Sequence, residues 1–246
     1  MSYVDFVEDT ICALITAPGL SGISVIRVSG SLALSLVRSF CGFLPTSPES
    51  HKIYFGNFKA GADIIDEVLV SYFANGKSFT GDETIEISTH GGYSAANRVL
   101  SELLGAGGRG AERGEFSFRS FFNGKMDLVQ AEGVLSIINS RTDQARDIAV
   151  KQLKGHLSEH LNSLEDKLIQ VMAQLEASID FSTEDIDPYS LKEMSGLLES
   201  AISDCEKLVT SFKKGRVIST GIKATLAGPV NVGKSSLYNS LLRQEK

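Results

Sequence analysis

Cysteine is scarce in this 246-residue sequence: Cys12, Cys41 and Cys205 are the only three, and they lie far apart. No Cys-x-x-Cys pair occurs, which excludes a zinc knuckle, and an odd number of scattered thiols gives no disulfide framework. Reduced thiols of this kind fit a cytoplasmic protein. Excess positive charge is also missing, with 24 Lys and Arg against 30 Asp and Glu and a formal net charge of −6. A nucleic-acid footprint over the whole surface is therefore excluded, because such surfaces gather clustered basic side chains. Only a local basic patch is compatible. The N-terminus, Met1-Ser-Tyr-Val-Asp-Phe-Val-Glu-Asp9, lacks the basic start and apolar run of a secretory signal. The longest apolar stretch, Ile11 to Val28, is broken by Pro18, Gly19 and Gly22 and carries Arg27, so it does not span a bilayer. No membrane association is expected.

What is present is an ordinary globular balance, 42% hydrophobic and 22% charged, with length for one large or two ordinary domains. The first third reads as mixed α and β. Thr10 to Thr16 and Ile23 to Val28 are short, β-branched and apolar, with turn chemistry from Ala17 to Gly22 between them. Leu32 to Cys41 has helical spacing. His51 to Phe58 and Glu67 to Phe73 form a hairpin pattern. Thr84 to Ser88 alternates, which puts Ile85 and Ile87 on one side of a strand and Glu86 on the other. Ala95 to Leu104 predicts a helix that the glycine-rich run Gly105 to Gly110 ends.

From about residue 115 helices dominate. Leu157, Leu161, Leu164, Leu168, Val171, Leu175 and Ile179 recur at steps of three or four, as do Leu191, Met194, Leu198, Ala201, Cys205, Leu208 and Phe212. Two long helices joined by the acidic segment Asp180 to Pro188 would pack antiparallel. Their stripes have room for further helices or a second subunit. After Gly215 the pattern changes again, with a strand predicted over Ile222 to Gly228 and a helix over Ser235 to Leu242.

Gly228-Pro-Val-Asn-Val-Gly-Lys-Ser235 fits G-x-x-x-x-G-K-[ST] between that strand and that helix. In a phosphate loop, backbone N–H groups close around phosphate oxygens, and glycine is needed where the bend is too tight for a side chain. Asn231, Val232, Gly233, Lys234, Ser235 and Ser236 are the expected nucleotide-binding residues. Lys234 reaches the β- and γ-phosphates, Ser235 gives a hydroxyl to Mg²⁺, and the following helix points its positive end at the anion. The alternative is a glycine-rich turn between strand and helix. Eleven residues follow Ser235, too few for switch segments, a metal-binding Asp and a base-reading segment. The 246-residue chain is therefore expected to lack GTPase activity and to be truncated just after its phosphate loop.

Asp9-Thr-Ile-Cys-Ala-Leu-Ile-Thr-Ala-Pro-Gly-Leu-Ser-Gly-Ile-Ser-Val-Ile-Arg-Val-Ser-Gly30 begins a series of blocks that resembles the tRNA modification GTPase MnmE (TrmE) family over essentially the whole chain. The others are Ser78-Phe-Thr-Gly-Asp-Glu-Thr-Ile-Glu-Ile-Ser-Thr-His-Gly-Gly92, Arg113-Gly-Glu-Phe-Ser-Phe-Arg-Ser-Phe-Phe-Asn-Gly-Lys-Met-Asp-Leu-Val-Gln-Ala-Glu132, Ile179-Asp-Phe181 and the phosphate loop. The resemblance implies three parts. Residues 1–118 would be an α+β tetrahydrofolate-binding and dimerisation domain, similar to the aminomethyltransferase fold. Residues 119–218 would begin an all-α helical domain, and 219–246 would open an α/β P-loop G domain inserted in it. The family's activity would be GTP hydrolysis coupled to modification of the tRNA wobble uridine, with a one-carbon unit from 5-formyl- or 5,10-methylene-tetrahydrofolate. Implied partners are a second copy, an FAD-dependent MnmG-type protein completing a heterotetramer, and tRNA. Implied cofactors are GTP/GDP, Mg²⁺ and K⁺.

Carried over by motif position, Arg27, Glu86 and Lys125 contact the folate derivative, and Asn231 coordinates K⁺. The chemistry is reasonable, since a carboxylate can accept paired bonds from an aminopyrimidine edge and cationic side chains can hold carboxylate or formyl oxygens. Each also has a plain reading: Arg27 ends a strand, Glu86 faces solvent, and Lys125 sits in a turn. The family's Arg-Pro or Pro-Pro within the loop is Pro229-Val230 here, and none of the three cysteines matches the family's C-terminal cysteine motif. His156 and His160 have a metal-capable helical spacing without a third ligand, so a solvated face is the reading taken. Glu184, Asp185 and Asp187 read as a solvated connection. His90 is open between lining a pocket and capping a turn. Besides a GTP-dependent tRNA modification enzyme, two other functions are compatible: a folate-derivative-binding dimerisation module without catalysis, and a helical scaffold with a vestigial phosphate loop.

Overall fold

A computed structural model of the protein describes residues 9–180, 188–220 and 224–242. The chain divides into two compact units, Met1–Gly133 and Val134–Lys246.

The first unit is a six-stranded sheet with helices. Its elements are β1 (Ile11–Leu14), β2 (Ile23–Ser29), α1 (Ala33–Arg38), β3 (Lys52–Ala60), β4 (Asp63–Phe73), β5 (Thr84–His90), α2 (Tyr93–Gly105), β6 (Arg109–Gly110) and α3 (Glu115–Phe122). The strand order is β3-β4-β5-β2-β1-β6, and all pairings are antiparallel except β1 with β6. Alternation determines the two faces. Ile26, Val28, Val68, Val70, Ile85 and Ile87 are fully or almost fully buried and meet α1 and α2, whose Val37, Ala96, Val99 and Leu103 close the core. The intervening residues, Arg27 and Glu86 among them, point to the opposite face, as the pleat requires.

The hairpin extends beyond the expected ends, with only Gly61 and Ala62 between β3 and β4. The glycine-rich run after α2 does more than end that helix. Arg109 and Gly110 form the short strand β6 against Ile11 and Cys12. Two residues are too few to show periodicity, so this strand exists only through its partner.

The second unit is helical. α4 (Leu128–Asn139) bridges the boundary and is followed by α5 (Asp143–Leu153), α6 (His156–Asp180) and α7 (Pro188–Thr220). Thr142 caps α5, its hydroxyl accepting the Ala145 N–H at 3.1 Å. Helices α6 and α7 pack along one another, with Lys167 donating to Ser200 at 2.8 Å and Asp204 at 2.7 Å. Their seam buries Leu164, Val171, Met194 and Ala201, whereas Leu161, Leu168, Leu175, Ile179, Leu191, Leu198 and Phe212 of the two stripes remain exposed. A two-helix contact covers about half of each stripe, because each stripe is wider than one seam. The acidic connection read at Glu184, Asp185 and Asp187 lies outside the described residues.

The expected strand over Ile222 to Gly228 is not present where the chain is described. Ile222 and Lys223 lie outside the described residues, and Ala224 to Gly228 carry no strand. A strand needs a hydrogen-bonded neighbour, and all six strands among the described residues belong to the sheet between Ile11 and Gly110. The following helix does form, as α8 (Lys234–Leu242). Among the described residues no helix is long and apolar enough to cross a membrane.

Candidate functional site

The segment Gly228 to Ser235 folds as a tight loop at the N-terminus of α8. Asn231 (φ 64°) and Gly233 (φ 87°) both take the left-handed conformation. At Gly233 this conformation favours glycine, and it turns the chain directly into the helix, whose first bond is Leu237 N–H to the Gly233 carbonyl at 2.9 Å. Lys234 folds back over the loop, and its Nζ donates to the carbonyls of Gly228 at 3.0 Å and Pro229 at 2.6 Å. The ammonium therefore sits at the loop's mouth. The first N–H groups of a helix lack partners within it and carry its positive end. Ser235 and Ser236 stand in that first turn.

The second candidate site lies on the sheet face turned away from the core. Arg27 of β2 is directly opposite Glu86 of β5 in the ladder. Arg27 Nε and Nη2 both donate to Glu86 Oε1, at 3.0 and 2.7 Å. The guanidinium also lies between two aromatic rings, 5.2 Å from the centroid of Phe79 and 5.3 Å from that of Phe116, within cation–π range. Both nitrogens converge on one oxygen, so Oε2 of Glu86 has no hydrogen-bond partner among the described residues. Lys125 does not touch this pair. Its Nζ donates to the Gly76 carbonyl at 2.9 Å, which anchors the far end of the loop that carries Phe79. Gly81, in the same loop, has φ 88°, and a Cβ there would come within 2.8 Å of Asn123 Cβ and 3.2 Å of Lys125 Cγ. The close seating of loop against loop requires glycine.

Three features at or near these sites were not read from the sequence. Phe79 and Phe116, whose rings meet the Arg27 guanidinium, carry no local signal that separates them from the chain's other aromatic residues. An ion network joins Asp9, Arg109, Glu115 and Arg119, with Arg119 completely buried and its Nη1 donating to the Asp9 carbonyl at 2.7 Å. Burial alone would raise the Asp9 and Glu115 carboxyls, but hydrogen bonds and charge from Arg109 and Arg119 hold both below the usual carboxylate range. The spacing of Glu115 and Arg119 by four in a helix was the one local signal. Lastly, Asp66 binds His90 twice, accepting the ring Nδ1 at 2.6 Å and the backbone N–H at 2.7 Å. This occurs just past the last β4–β5 pair, Leu69 with Ser88.

The Asp66 hydrogen bond and charge hold the His90 ring above the usual histidine range. A histidine raised in the folded state stabilises fully below its ordinary value of about 6.5, and the contribution is lost as pH rises through the folded value. An NMR titration of Asp66→Asn should show His90 titrating at lower pH than in the parent. Identical curves would mean that the pair does not form in solution. Burial pushes the Cys12 and Cys41 thiols up to about 12, so neither is a ready nucleophile.

Comparison with known proteins agrees along the length of the chain. The family model described as GTP-binding protein TrmE N-terminus matches residues 10–125. The model described as MnmE helical domain matches residues 128–245. The tRNA modification GTPase MnmE of Bdellovibrio bacteriovorus is 50% identical over 241 residues, covering 97% of this chain and 50% of that protein. The proteins of the same name from Natranaerobius thermophilus and Clostridioides difficile are 42% and 37% identical, with coverage of 97% and 98% of this chain and 53% of each relative. The chain thus spans about half the length of the curated relatives it matches. Two adjoining family models in sequence order, and relatives aligned across nearly every residue, show that the chain belongs to the MnmE (TrmE) family.

Proposed function

We propose that this protein acts as a guanine-nucleotide-dependent tRNA modification enzyme, binding GTP at Gly228 to Ser236 and a tetrahydrofolate derivative at Arg27 and Glu86. The observation that carries the reading is the loop geometry: two left-handed residues, Lys234 curled over the loop carbonyls, and a helix N-terminus immediately behind. This arrangement fits a terminal phosphate group. Lys234 would exchange its carbonyl partners for β/γ-oxygens, N–H groups of Gly233 to Ser236 would face the anion, and Ser235 would hold Mg²⁺. The amide oxygen of Asn231 is a suitable hard donor for K⁺. The family's implied product chemistry, tRNA wobble-uridine modification with an FAD-dependent MnmG-type partner in a heterotetramer, is part of the same proposal, as are homodimerisation, the domain division at 118 and 218, the folate-binding fold, the beginning of a G domain and a cytoplasmic location. GTPase activity is proposed for the whole protein and not for these 246 residues alone.

At the second site, Arg27 is held by Glu86 Oε1 alone, so the second carboxylate oxygen is left as an acceptor in the same pair as the guanidinium's N–H donors. A pterin edge, with N–H groups next to a carbonyl, is complementary to that pair. The half-buried setting and the two rings suit a flat heterocycle. Lys125, held at Gly76, would reach the ligand only by leaving that carbonyl. GTP hydrolysis by the whole protein should be faster in K⁺ than in Na⁺, and equal rates would remove the cation role of Asn231. Calorimetry of the 246-residue chain with 5-formyltetrahydrofolate should show binding that Glu86→Gln weakens. No heat with the parent would leave a nucleotide site without a folate site.

A further inference from the structure

Below the rim of the Arg27–Glu86 site lies a cluster of hydroxyl groups that none of the binding chemistry above uses. Ser29 and Thr80 are completely buried, and Ser78 and Thr84 are nearly so. The Thr80 hydroxyl is 2.7 Å from that of Ser29, 3.1 Å from that of Thr84 and 3.2 Å from that of Ser78, and it accepts the Asp82 N–H at 3.2 Å. Ser78 and Thr84 both donate to the Asp82 carbonyl, at 2.5 and 3.1 Å. Ser29 ends β2 and Thr84 begins β5, so these bonds tie the 78–82 loop to the two strands that carry Arg27 and Glu86. The loop's outer side is held as well, since Ser120 donates to the Phe79 carbonyl at 2.7 Å and Asn123 to the Thr80 carbonyl at 2.8 Å. Phe79, whose ring lies against the Arg27 guanidinium, is the residue between two members of the cluster.

We infer that Thr80 is a positioning residue for the Arg27–Glu86 site, fixing Phe79 over Arg27 through its buried hydroxyl. The inference rests on the folate reading of that site. Four buried hydroxyls are costly unless all are mutually satisfied, so they hold one arrangement of the loop and disfavour others. A loop fixed in this way keeps the guanidinium against the two rings and its donors on Glu86, instead of leaving a long side chain free to sample rotamers.

The test compares Thr80→Val, which preserves shape and deletes the hydroxyl, with Thr80→Ser, which keeps it, in the 246-residue chain. The Arg27 Nε–Hε proton, assigned by its loss in Arg27→Lys, reports ring current from Phe79 and Phe116. Calorimetry reports the dissociation constant for 5-formyltetrahydrofolate, and circular dichroism reports folding. In Thr80→Val the Arg27 signal should move toward its position in an unstructured peptide and the dissociation constant rise roughly tenfold, about the consequence of one buried hydrogen bond lost. Thr80→Ser should restore both. An unmoved Arg27 signal in folded Thr80→Val, or the same loss in Thr80→Ser, would overturn the inference. If Thr80→Val does not fold, Ser29→Ala replaces it, with a smaller shift expected in the same direction and none counting against the claim. If the parent binds no folate, the folate reading fails, while the Arg27 signal still decides the positioning role.

Discussion

Lys234→Ala in the whole protein is expected to lower affinity for GTP roughly a hundredfold, the scale of losing two charge-assisted bonds to phosphate. Titration with a fluorescent GTP analogue would measure it. The Lys234 ammonium is exposed and makes its two bonds to the carbonyls of Gly228 and Pro229 within its own loop. Its removal should therefore leave the rest of the fold unchanged, because no core side chain depends on it. A drop in affinity at constant helicity is the expected pair of results. Unchanged affinity would mean that GTP is held without Lys234, and the phosphate-loop reading of Gly228 to Ser235 would fail. Replacing the lysine with arginine is not a rescue, since a planar fork does not match a compact ammonium at the mouth of a narrow loop.

Arg119→Ala is expected to destabilise the N-terminal unit by about 3–5 kcal/mol, the usual consequence of removing one partner from a buried ionic network. Arg119 is inaccessible to solvent, and its guanidinium neutralises Asp9 and the almost equally buried Glu115. Without it, two carboxylates share Arg109 alone. Urea unfolding followed by circular dichroism would measure the change, as the sequence has no tryptophan to report it by fluorescence. Lys207→Ala is the control, because its pair with Asp204 is exposed and should matter by less than about 1 kcal/mol. Equal small effects would show that the network contributes nothing in solution.

The same network gives a pH dependence. Asp9 and Glu115 are held below the ordinary carboxylate range, so their contribution is present above about pH 4 and is lost as pH falls through the lower folded values. Arg119→Ala should flatten that acid limb.

The sheet strands and long helices were legible in the sequence because their signal is local. Alternation at Ile85, Glu86 and Ile87 is visible within three residues, and the 156–180 stripe repeats over many turns. The tight loop from Gly228 to Ser235 was legible for the same reason, since its glycines, lysine and serine are contiguous. The strand expected before it was not found where described, because strand formation depends on a neighbour and not on the segment. Lys125 was grouped with Arg27 and Glu86 by motif position, yet it is bound to Gly76, a partner 49 residues away that no local pattern predicts.

The sequence alone thus determined which residues alternate, which turn and which form the tight loop before the last helix, because those properties depend on neighbours a few positions apart. Only the tertiary structure decided that Arg27 meets Glu86 across the ladder between two rings, that Asp9 closes a buried network 110 residues distant in Arg119, and that four hydroxyls converge under Phe79. Such contacts depend on strand register and on the way loops seat against each other. They come from packing in three dimensions, which one-dimensional periodicity does not record.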